Sequence, residues 1–442
     1  MSAGVSAAPP EAVVVGGGVA GLVAAFGLAD RGYRATLLES RQRCGGRAFS
    51  TPDRVFDRAL DNGFHVMLGC YRSMRALCRR LGTEDGFRQD PRLSLRYRFE
   101  GGRSTALSLS GLPVPLAMPG GVLRLDLALG ARLRALLGMG ASLVGAPARW
   151  TFADWMRRLG QTGAPDDVLW RPLCRAVMNC EPEEASARAF LATLREAFLG
   201  AAGRAALWVP ARPWGELLGA PARRALDAAG VALRVGARVE GFDYQGDRIA
   251  AIALAGGERV ALAPDAVVVS AMPWHALHKV LGERAPPQLG RLRAAPIVTA
   301  YFETSERRPP PDEGPVVALV GGAPFHFLLR TPGEGLGRFA VLSGGDRSFD
   351  GLHVDEIGRI ARAQVARYYP DADLDGAVVR IRKEQRATFV PDQEADALRP
   401  RPGRLAQGPV NLLVCGDWTA TGLPATLEGA ARSSEQALAT LS

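Results

Sequence analysis

Lysine is nearly absent from this chain. Lys279 and Lys383 are the only two among 54 basic residues, so arginine carries the rest of a formal net charge of +9. No window of about five to eight residues concentrates that charge into a basic run. The arginines are spread among abundant Ala and Gly, which points to biased genomic composition and not to nucleic-acid binding. Cysteine is sparse as well. Cys44, Cys70, Cys78, Cys174, Cys180 and Cys415 form no CxxC pair, and with five scattered histidines they give no zinc spacing. No metal site is expected, and free buried thiols in a reducing cytoplasm are. Long hydrophobic runs are missing too. Residues 12–29 are 18 positions without a charge, the length of a membrane span, but five of them are glycine. Residues 135–148 are 14 positions interrupted by Gly138, Gly140, Gly145 and Pro147, too short to span. The opening MSAGVSAAPPE lacks the basic region of a signal peptide and reads as a short disordered lead-in. No repeat or low-complexity tract is present.

What is present starts at residue 12. The chain has 442 residues, 47% of them apolar, enough for two domains with sizeable cores. Val13, Val14 and Val15 read as a buried strand. Gly16-x-Gly18-x-x-Gly21 follows, then an apolar helix, a stop at Arg31-Gly32, and a second strand ending in Glu39. Strand, glycine turn, helix, strand and acid make this a dinucleotide-binding βαβ unit. Gly16 permits the turn, Gly18 lets the backbone approach a pyrophosphate, and Gly21 lets helix and strand pack closely. The helix N-terminus faces the phosphates. Glu39 accepts from the ribose hydroxyls. No second GxGxxG stands in a βαβ context, so no separate nicotinamide domain is expected.

Glu39-Ser40-Arg41-Gln-Arg43-Cys-Gly45-Gly46-Arg47 continues from the acid. An acid, arginines two, four and eight positions on, and a Gly-Gly pair resemble the second cofactor signature of the flavin-containing amine oxidase and phytoene desaturase superfamily. The arginines offer planar forks to phosphate, and the Gly-Gly pair lets backbone pass close to the cofactor. The resemblance implies FAD. It also implies an α/β fold class: a Rossmann-like FAD-binding domain, discontinuous in sequence, plus a mixed α+β substrate-binding domain. The expected parts are 11–81, 220–273 and 405–442 for FAD, and 82–219 (mainly helical, apolar) and 274–404 for substrate. Asp61-Asn62-Gly63-Phe64-His65 then reads as a tight turn. By resemblance it lies near the isoalloxazine ring, with Asn62 and Gly63 as cofactor contacts.

Residues 71–81 read as an amphipathic helix, 93–99 and 104–109 as strands. Residues 123–137 place Leu125, Leu129, Leu133, Leu136 and Leu137 at helical spacing, with Arg124, Arg132 and Arg134 between. Two readings stay open for that helix: one packed on its neighbours, or one lying in a membrane interface. Trp150, Phe152 and Trp155 are interface anchors or pocket wall. Residues 166–179 read as a helix capped by Asp166, and 186–198 as another; such an apolar helical insert suits a long hydrocarbon pocket. Residues 216–229 form a helix, followed by strands at 231–235, 238–242, 249–254, 259–262 and 266–269. By resemblance the backbone of Val239 meets the adenine end. Residues 270–273 sit at a strand's carboxyl edge, where open α/β sheets bind ligands. Further strands are expected at 297–303, 316–320, 325–329, 339–343 and 378–382, with a helix at 355–369.

The closing signature is Gly416-Asp417-Trp418-Thr-Ala-Thr-Gly-Leu-Pro424-Ala425-Thr426-Leu-Glu428-Gly429-Ala. Gly416 permits close backbone approach and Asp417 accepts from a ribityl hydroxyl. Pro424 suits the first turn of the last helix, whose N-terminus would stabilise charge on a reduced flavin. The resemblance implies cofactor contacts from Gly16, Gly17, Gly18, Val19, Ala20, Gly21, Glu39, Ser40, Arg41, Gly45, Gly46, Arg47, Gly416, Asp417, Pro424, Ala425 and Thr426. The whole set, with DNGxH at 61–65, LWRPLCxAxxN at 169–179 and RATF at 386–389, is similar to the hydroxysqualene dehydroxylase family of squalene and hopanoid biosynthesis. Phe64 replaces an expected Gln, and Ser434 stands where that family often has Gly.

That likeness implies reductive dehydroxylation of an isoprenoid lipid, hydroxysqualene, to squalene. Departure of the hydroxyl needs a proton donor, and His65, Glu428 and Asp61 are the ionisable candidates. Alternatives are FAD-linked desaturation of a carotenoid-type polyene, an amine oxidase, and a non-catalytic FAD-stabilised scaffold. The amine oxidase is disfavoured, because Phe389 and Trp418 are the only aromatics beyond Arg380 and an amine cage wants an aromatic pair. Expected partners are the lipid, a membrane surface touched peripherally on the inner face of the cytoplasmic membrane, and squalene-forming prenyltransferases.

Overall fold

A computed structural model describes residues 8–90, 93–305, 307–321, 324–331 and 334–441. Of the expected lead-in, residues 1–11, the first seven lie outside the described residues, and Glu11 already belongs to the first strand. The three valines after Ala12 sit in the strand Glu11–Val15, central in a six-stranded sheet. Its order is Ala232–Val235, Arg34–Glu39, Glu11–Val15, Val267–Ser270, Leu412–Val414, Gly403–Arg404. The first five are parallel and the last is antiparallel. Parallel strands need crossovers that bury both faces, and the pleat divides the side chains accordingly. Val14, Leu37, Val269 and Leu413 pack on the side of helices Val19–Ala29, Trp214–Ala228 and Leu427–Leu438. Val13, Val15, Leu38, Val268 and Leu412 face Phe242 and Ile252 of a three-stranded meander and helix Trp274–Leu281.

A seven-stranded sheet forms the second layer system. Its order is Val378–Phe389, Ala294–Glu303, Arg338–Gly344, Phe327–Leu329, Val316–Val320, Ser94–Phe99, Ser104–Ser108. Alternation again splits it. Val298, Ala300, Val317, Leu319 and Val341 pack on helix Val354–Tyr368. Tyr97, Ala318, Phe327 and Leu329 face the helical insert. A ribbon of Met67–Leu68, Leu207–Pro210 and Phe87–Asp90 runs between the two systems.

Five local expectations differ. The single helix over 123–137 is two, Val114–Leu123 and Leu129–Ser142, and Leu125 is buried in the turn between them. Asp166 is not a cap; its carboxylate accepts from Arg171 Nη2 at 2.9 Å, in a π-helical turn Asp166–Trp170 that leads into helix Arg171–Met178. The last strand of the second sheet does not stop at 382 but runs Val378–Phe389, paired with Ala294–Glu303 along its length. The last helix begins at Leu427 with Thr426 as its N-cap, so Pro424 precedes it. Phe152 and Trp155 are neither anchors nor pocket wall: they stack at 5.4 Å inside the core of the helical insert.

Candidate active site

The glycine turn is shaped by contact. Gly16 has φ +107°, and a Cβ on Gly21 would lie 1.7 Å from the Gly16 carbonyl oxygen, so only glycine lets helix Val19–Ala29 seat on its strand. No side chain caps that helix at Gly18. Its first N–H groups therefore stand at the cavity that Val19 and Ala20 line. Across the turn, a Cβ on Gly46 would come within 3.0 Å of Gly18 Cα, so two bare backbones meet there. Glu39 is buried; Oε2 accepts from Gly17 N at 2.7 Å and Oε1 from Arg41 N at 2.7 Å. The carboxylate is fixed by backbone donors and keeps lone pairs toward the cavity.

One continuous cavity of about 1080 Å³ is lined by both cofactor signatures and by apolar side chains. Its lining includes Gly16, Gly18, Glu39, Ser40, Arg41 and Val239, then Gly45, Gly46, Arg47, Gly416, Asp417, Ala425 and Thr426, and also Asn62, Gly63 and His65. The same cavity has an apolar wall of Phe64, Leu95, Tyr97, Leu194, Phe198, Phe327 and Leu342. Three expected contacts do not reach the wall. Gly17 is turned to Glu39, Gly21 to Gly16, and Pro424 lies off it. Arg43 is a fourth departure: its guanidinium sits 3.5 Å over the Phe49 ring and not toward phosphate.

Arg47 and Asp417 form an ion pair in the cavity lining, and Arg47 Nη1 also donates to the Ala387 carbonyl at 2.6 Å. Burial works against the arginine's charge, but Asp417 beside it outweighs that and raises its pKa. The pair joins the Gly-Gly signature, the Gly-Asp signature and strand Val378–Phe389 in one place. Glu384 on that strand accepts from Asn62 Nδ2 at 3.0 Å and lines the cavity. Nothing local in the sequence marks Glu384. The same holds for Lys279, which also lines the cavity. Asn179 closes the LWRPLCxAxxN stretch, but only the structure shows it as a left-handed helix cap (φ 52°) that lines the cavity and donates to Thr388 Oγ1 at 2.8 Å. Tyr97 was also missed. It is buried on the wall, and its hydroxyl has no hydrogen-bonding partner among the described residues.

The three ionisable candidates separate. His65 Nδ1 lies 2.8 Å from the Gly63 carbonyl oxygen, which only accepts, so Nδ1 carries the proton and Nε2 is left as an acceptor. Burial pulls its pKa down to about 4, so the ring is neutral near pH 7. Glu428 lines the cavity but is committed: Oε2 accepts from Met74 N at 3.0 Å and Oε1 from Ser73 N at 3.3 Å, with Arg432 alongside at 3.2 Å. It caps helix Arg72–Leu81 from 355 residues away, where Tyr71 offers no side-chain cap. Asp61 is outside the cavity. Its Oδ1 accepts from Ser50 Oγ and from Trp214 N at 2.9 Å, capping helix Trp214–Ala228. Burial raises its pKa to about 6.

Of the two departures noted in the sequence, Phe64 joins the apolar wall. Ser434 Oγ donates to the Ala20 carbonyl at 2.7 Å and ties the last helix to the first. Neither Phe389 nor Trp418 reaches the cavity; Trp418 Nε1 donates to the Met272 carbonyl at 2.9 Å instead. All six cysteines are buried and unpaired.

A parallel sheet with a glycine turn, a buried acid at the second strand's end and a cradle of bare backbone defines a flavoprotein oxidoreductase of the dinucleotide-binding type. The residues fit FAD on the donor set and on glycine positions that a Cβ would fill. The chain belongs to the flavin containing amine oxidoreductase family, whose model matches residues 19–439, and is an FAD-dependent oxidoreductase. It is 31% identical to a hydroxysqualene dehydroxylase of Sinorhizobium fredii over 97% of both chains. It is 32% identical to one of Rhodopseudomonas palustris over 96% of both. A 15-cis-phytoene desaturase of Narcissus pseudonarcissus is 29% identical over 42% of this chain and 34% of its own length. In fold it is similar to an oxidoreductase from Methanosarcina mazei (TM-score 0.71, 13% identity, 96% of this chain and 99% of that one). It is also similar to a putrescine oxidase with bound putrescine (TM-score 0.66, 14% identity, 98% and 99%).

Proposed function

We propose that this enzyme reduces hydroxysqualene to squalene. The C–O bond breaks, the carbon gains a hydride, and the hydroxyl leaves as water with one added proton. Bound FAD in its reduced form supplies the hydride. The observation that carries the reading is the continuity of one cavity from the dinucleotide cradle to a wall of aliphatic and aromatic side chains, the form of a site that seats a long hydrocarbon against a flavin. Two relatives over the whole chain length are hydroxysqualene dehydroxylases, which supports the same substrate.

In this reading Glu39 accepts from the ribose, the glycine turn and Arg41 take the phosphates, and Val239 backs the adenine. Asp417 takes a ribityl hydroxyl and Arg47 holds Asp417. Asn62, steadied by Glu384, borders the ring. Neutral His65 presents Nε2 as an acceptor, which orients a hydroxyl and does not protonate it. The Tyr97 hydroxyl is the unmatched donor on the apolar wall and is the group we assign to the substrate oxygen. We assign residues 11–81, 214–273 and 403–442 to the FAD domain and 82–213 and 274–402 to the substrate domain; the expected boundaries at 220 and 405 move because helix Trp214–Ala228 packs on the six-stranded sheet and Gly403–Arg404 is its edge strand. Contact with the cytoplasmic face of a membrane, where the lipid resides, and with squalene-forming prenyltransferases belongs to the same reading.

The test is anaerobic stopped flow. Photoreduced enzyme mixed with detergent-dispersed hydroxysqualene is expected to regain the oxidised-flavin absorbance with stoichiometric squalene. Absence of reoxidation, with bleaching of oxidised enzyme by a polyene, would move the assignment to a desaturase. Asp417→Ala is expected to release flavin on desalting.

A further inference from the structure

Helix Leu129–Ser142 is inverted relative to a helix of a globular core. Leu129, Leu133 and Leu137 recur every fourth residue and share one face. They are 65%, 50% and 73% exposed. The buried face is Ala131, Ala135 and Gly138. These small residues let the helix lie close to the protein; a Cβ on Gly138 would come within 2.4 Å of the Gln161 side chain. The preceding helix, Val114–Leu123, adds exposed Leu116 and Leu123, and Leu112, Leu143 and Val144 complete the surface. Among the described residues, eight of the fifteen exposed large apolar side chains thus fall within 112–144. Single exposed leucines are ordinary, but a concentration of this size marks an interaction surface.

The charge on this segment is one-sided. Arg124, Arg134 and Arg149 are exposed beside the leucines. Asp126 is the only acid from 112 to 149, and it is paired to Arg103 at 3.2 Å. An apolar face rimmed by arginine matches lipid tails under anionic headgroups. No helix among the described residues is long and apolar enough to cross a membrane, so the contact is with one leaflet.

The hairpin is also tied to the cavity. Val114 N donates to the Gly200 carbonyl at 3.2 Å, and Arg195 Nη1 to the Leu143 carbonyl at 3.3 Å. Both partners belong to helix Ala187–Phe198 or the turn after it, and Thr193, Leu194, Ala197 and Phe198 of that helix line the cavity. One helix therefore has the hairpin at its C-terminal end and the apolar wall on its inner side.

We propose that the face formed by residues 112–144 docks on the surface of an anionic bilayer and that the hydrocarbon substrate passes from the leaflet into the cavity beside helix Ala187–Phe198. The substrate class in this inference rests on the proposed function; the docking surface does not.

The experiment uses the FAD-loaded full chain and vesicles of phosphatidylglycerol with phosphatidylcholine, or of phosphatidylcholine alone. The wild type is expected to float with the anionic vesicles, less so at high salt. Leu133→Asp/Leu137→Asp, at exposed positions, is expected to keep its flavin and its turnover of detergent-dispersed hydroxysqualene. Its partitioning to anionic vesicles falls at least roughly tenfold, since each leucine withdrawn from lipid forfeits most of a side-chain transfer energy. Turnover of hydroxysqualene embedded in vesicles falls in parallel. A wild type that stays in solution at low salt, or a double variant that floats equally well, overturns the docking surface. So does a soluble dimer broken by the double variant, which would assign the face to a second copy. Loss of vesicle binding with vesicle turnover unchanged overturns the passage. Flotation of a wild type that does not turn over hydroxysqualene in detergent sinks the proposed function and leaves the docking surface standing.

Discussion

Replacing Glu428 separates a structural carboxylate from a catalytic one. In Glu428→Ala, the N–H groups of Ser73 and Met74 lose their acceptor in a buried setting, and Tyr71 has no side-chain cap to replace it. Loss of an N-cap costs about 0.5–2 kcal/mol, and each buried N–H left unpaired about 1–3 kcal/mol. Arg432 keeps its second partner, Glu196, so the ion pair is only partly lost. The net is about 3 kcal/mol. Unfolding entropy of about 2.1 cal/mol/K per residue gives 442 residues a slope near 0.9 kcal/mol/K, so the melting temperature falls by about 3 °C. Glu428→Gln keeps one oxygen for Met74 N and is expected to lose about 1 °C, with turnover within a few-fold of wild type. Calorimetry of both FAD-loaded variants, with single-turnover rates on the same samples, makes the comparison. A Gln variant of wild-type stability whose turnover is gone by more than about a hundredfold would make Glu428 the proton donor and refute the capping argument. An Ala variant with no change in melting temperature would refute it from the other side.

Asp61 gives a pH dependence of known sign. Its folded pKa, about 6, is above the unfolded value of 3.8, so the protonated form is favoured in the fold. That contribution is full below the unfolded value and is lost as pH rises through about 6. Asp61→Asn keeps an acceptor for Trp214 N and no charge, so its melting temperature relative to wild type should climb between pH 4 and 6 and then level; a flat difference would count against burial as the cause. Gly21→Ala puts a methyl 1.7 Å from the Gly16 carbonyl oxygen, and neither backbone can give. We expect no flavin-loaded protein from it, and a yellow, normally stable Gly21→Ala would show the turn is built otherwise. Tyr97→Phe removes a buried hydroxyl that has no partner among the described residues, so the substrate-free protein should melt at the same or a higher temperature. A fall in its melting temperature would mean that the hydroxyl is bonded in the free enzyme.

The sequence determined the parts of this protein that are local demands on backbone. Gly16, Gly18 and Gly21, the Gly45-Gly46 pair, Glu39 and Gly416-Asp417 were legible because a tight turn, a bare approach and an acid at a strand's end each require a residue type at a fixed spacing. Periodicity likewise marked most strands and helices, since burial of one face leaves its period in the chain. What the tertiary structure alone decided is which distant groups meet. Asp61 and Glu428 look alike as acids beside cofactor motifs, yet each caps a helix far away in sequence, Trp214–Ala228 and Arg72–Leu81. Arg43 reads like Arg41 and Arg47, yet it sits on the Phe49 ring and off the cavity that the other two line. The leucines of 123–137 show a stripe but not its direction: small residues on the opposite side, Ala131, Ala135 and Gly138, took the inner face, where Gly138 lies close against the Gln161 side chain. Amphipathicity fixes the spacing of a stripe, and only the neighbours that fold against a helix fix which side of it is inside.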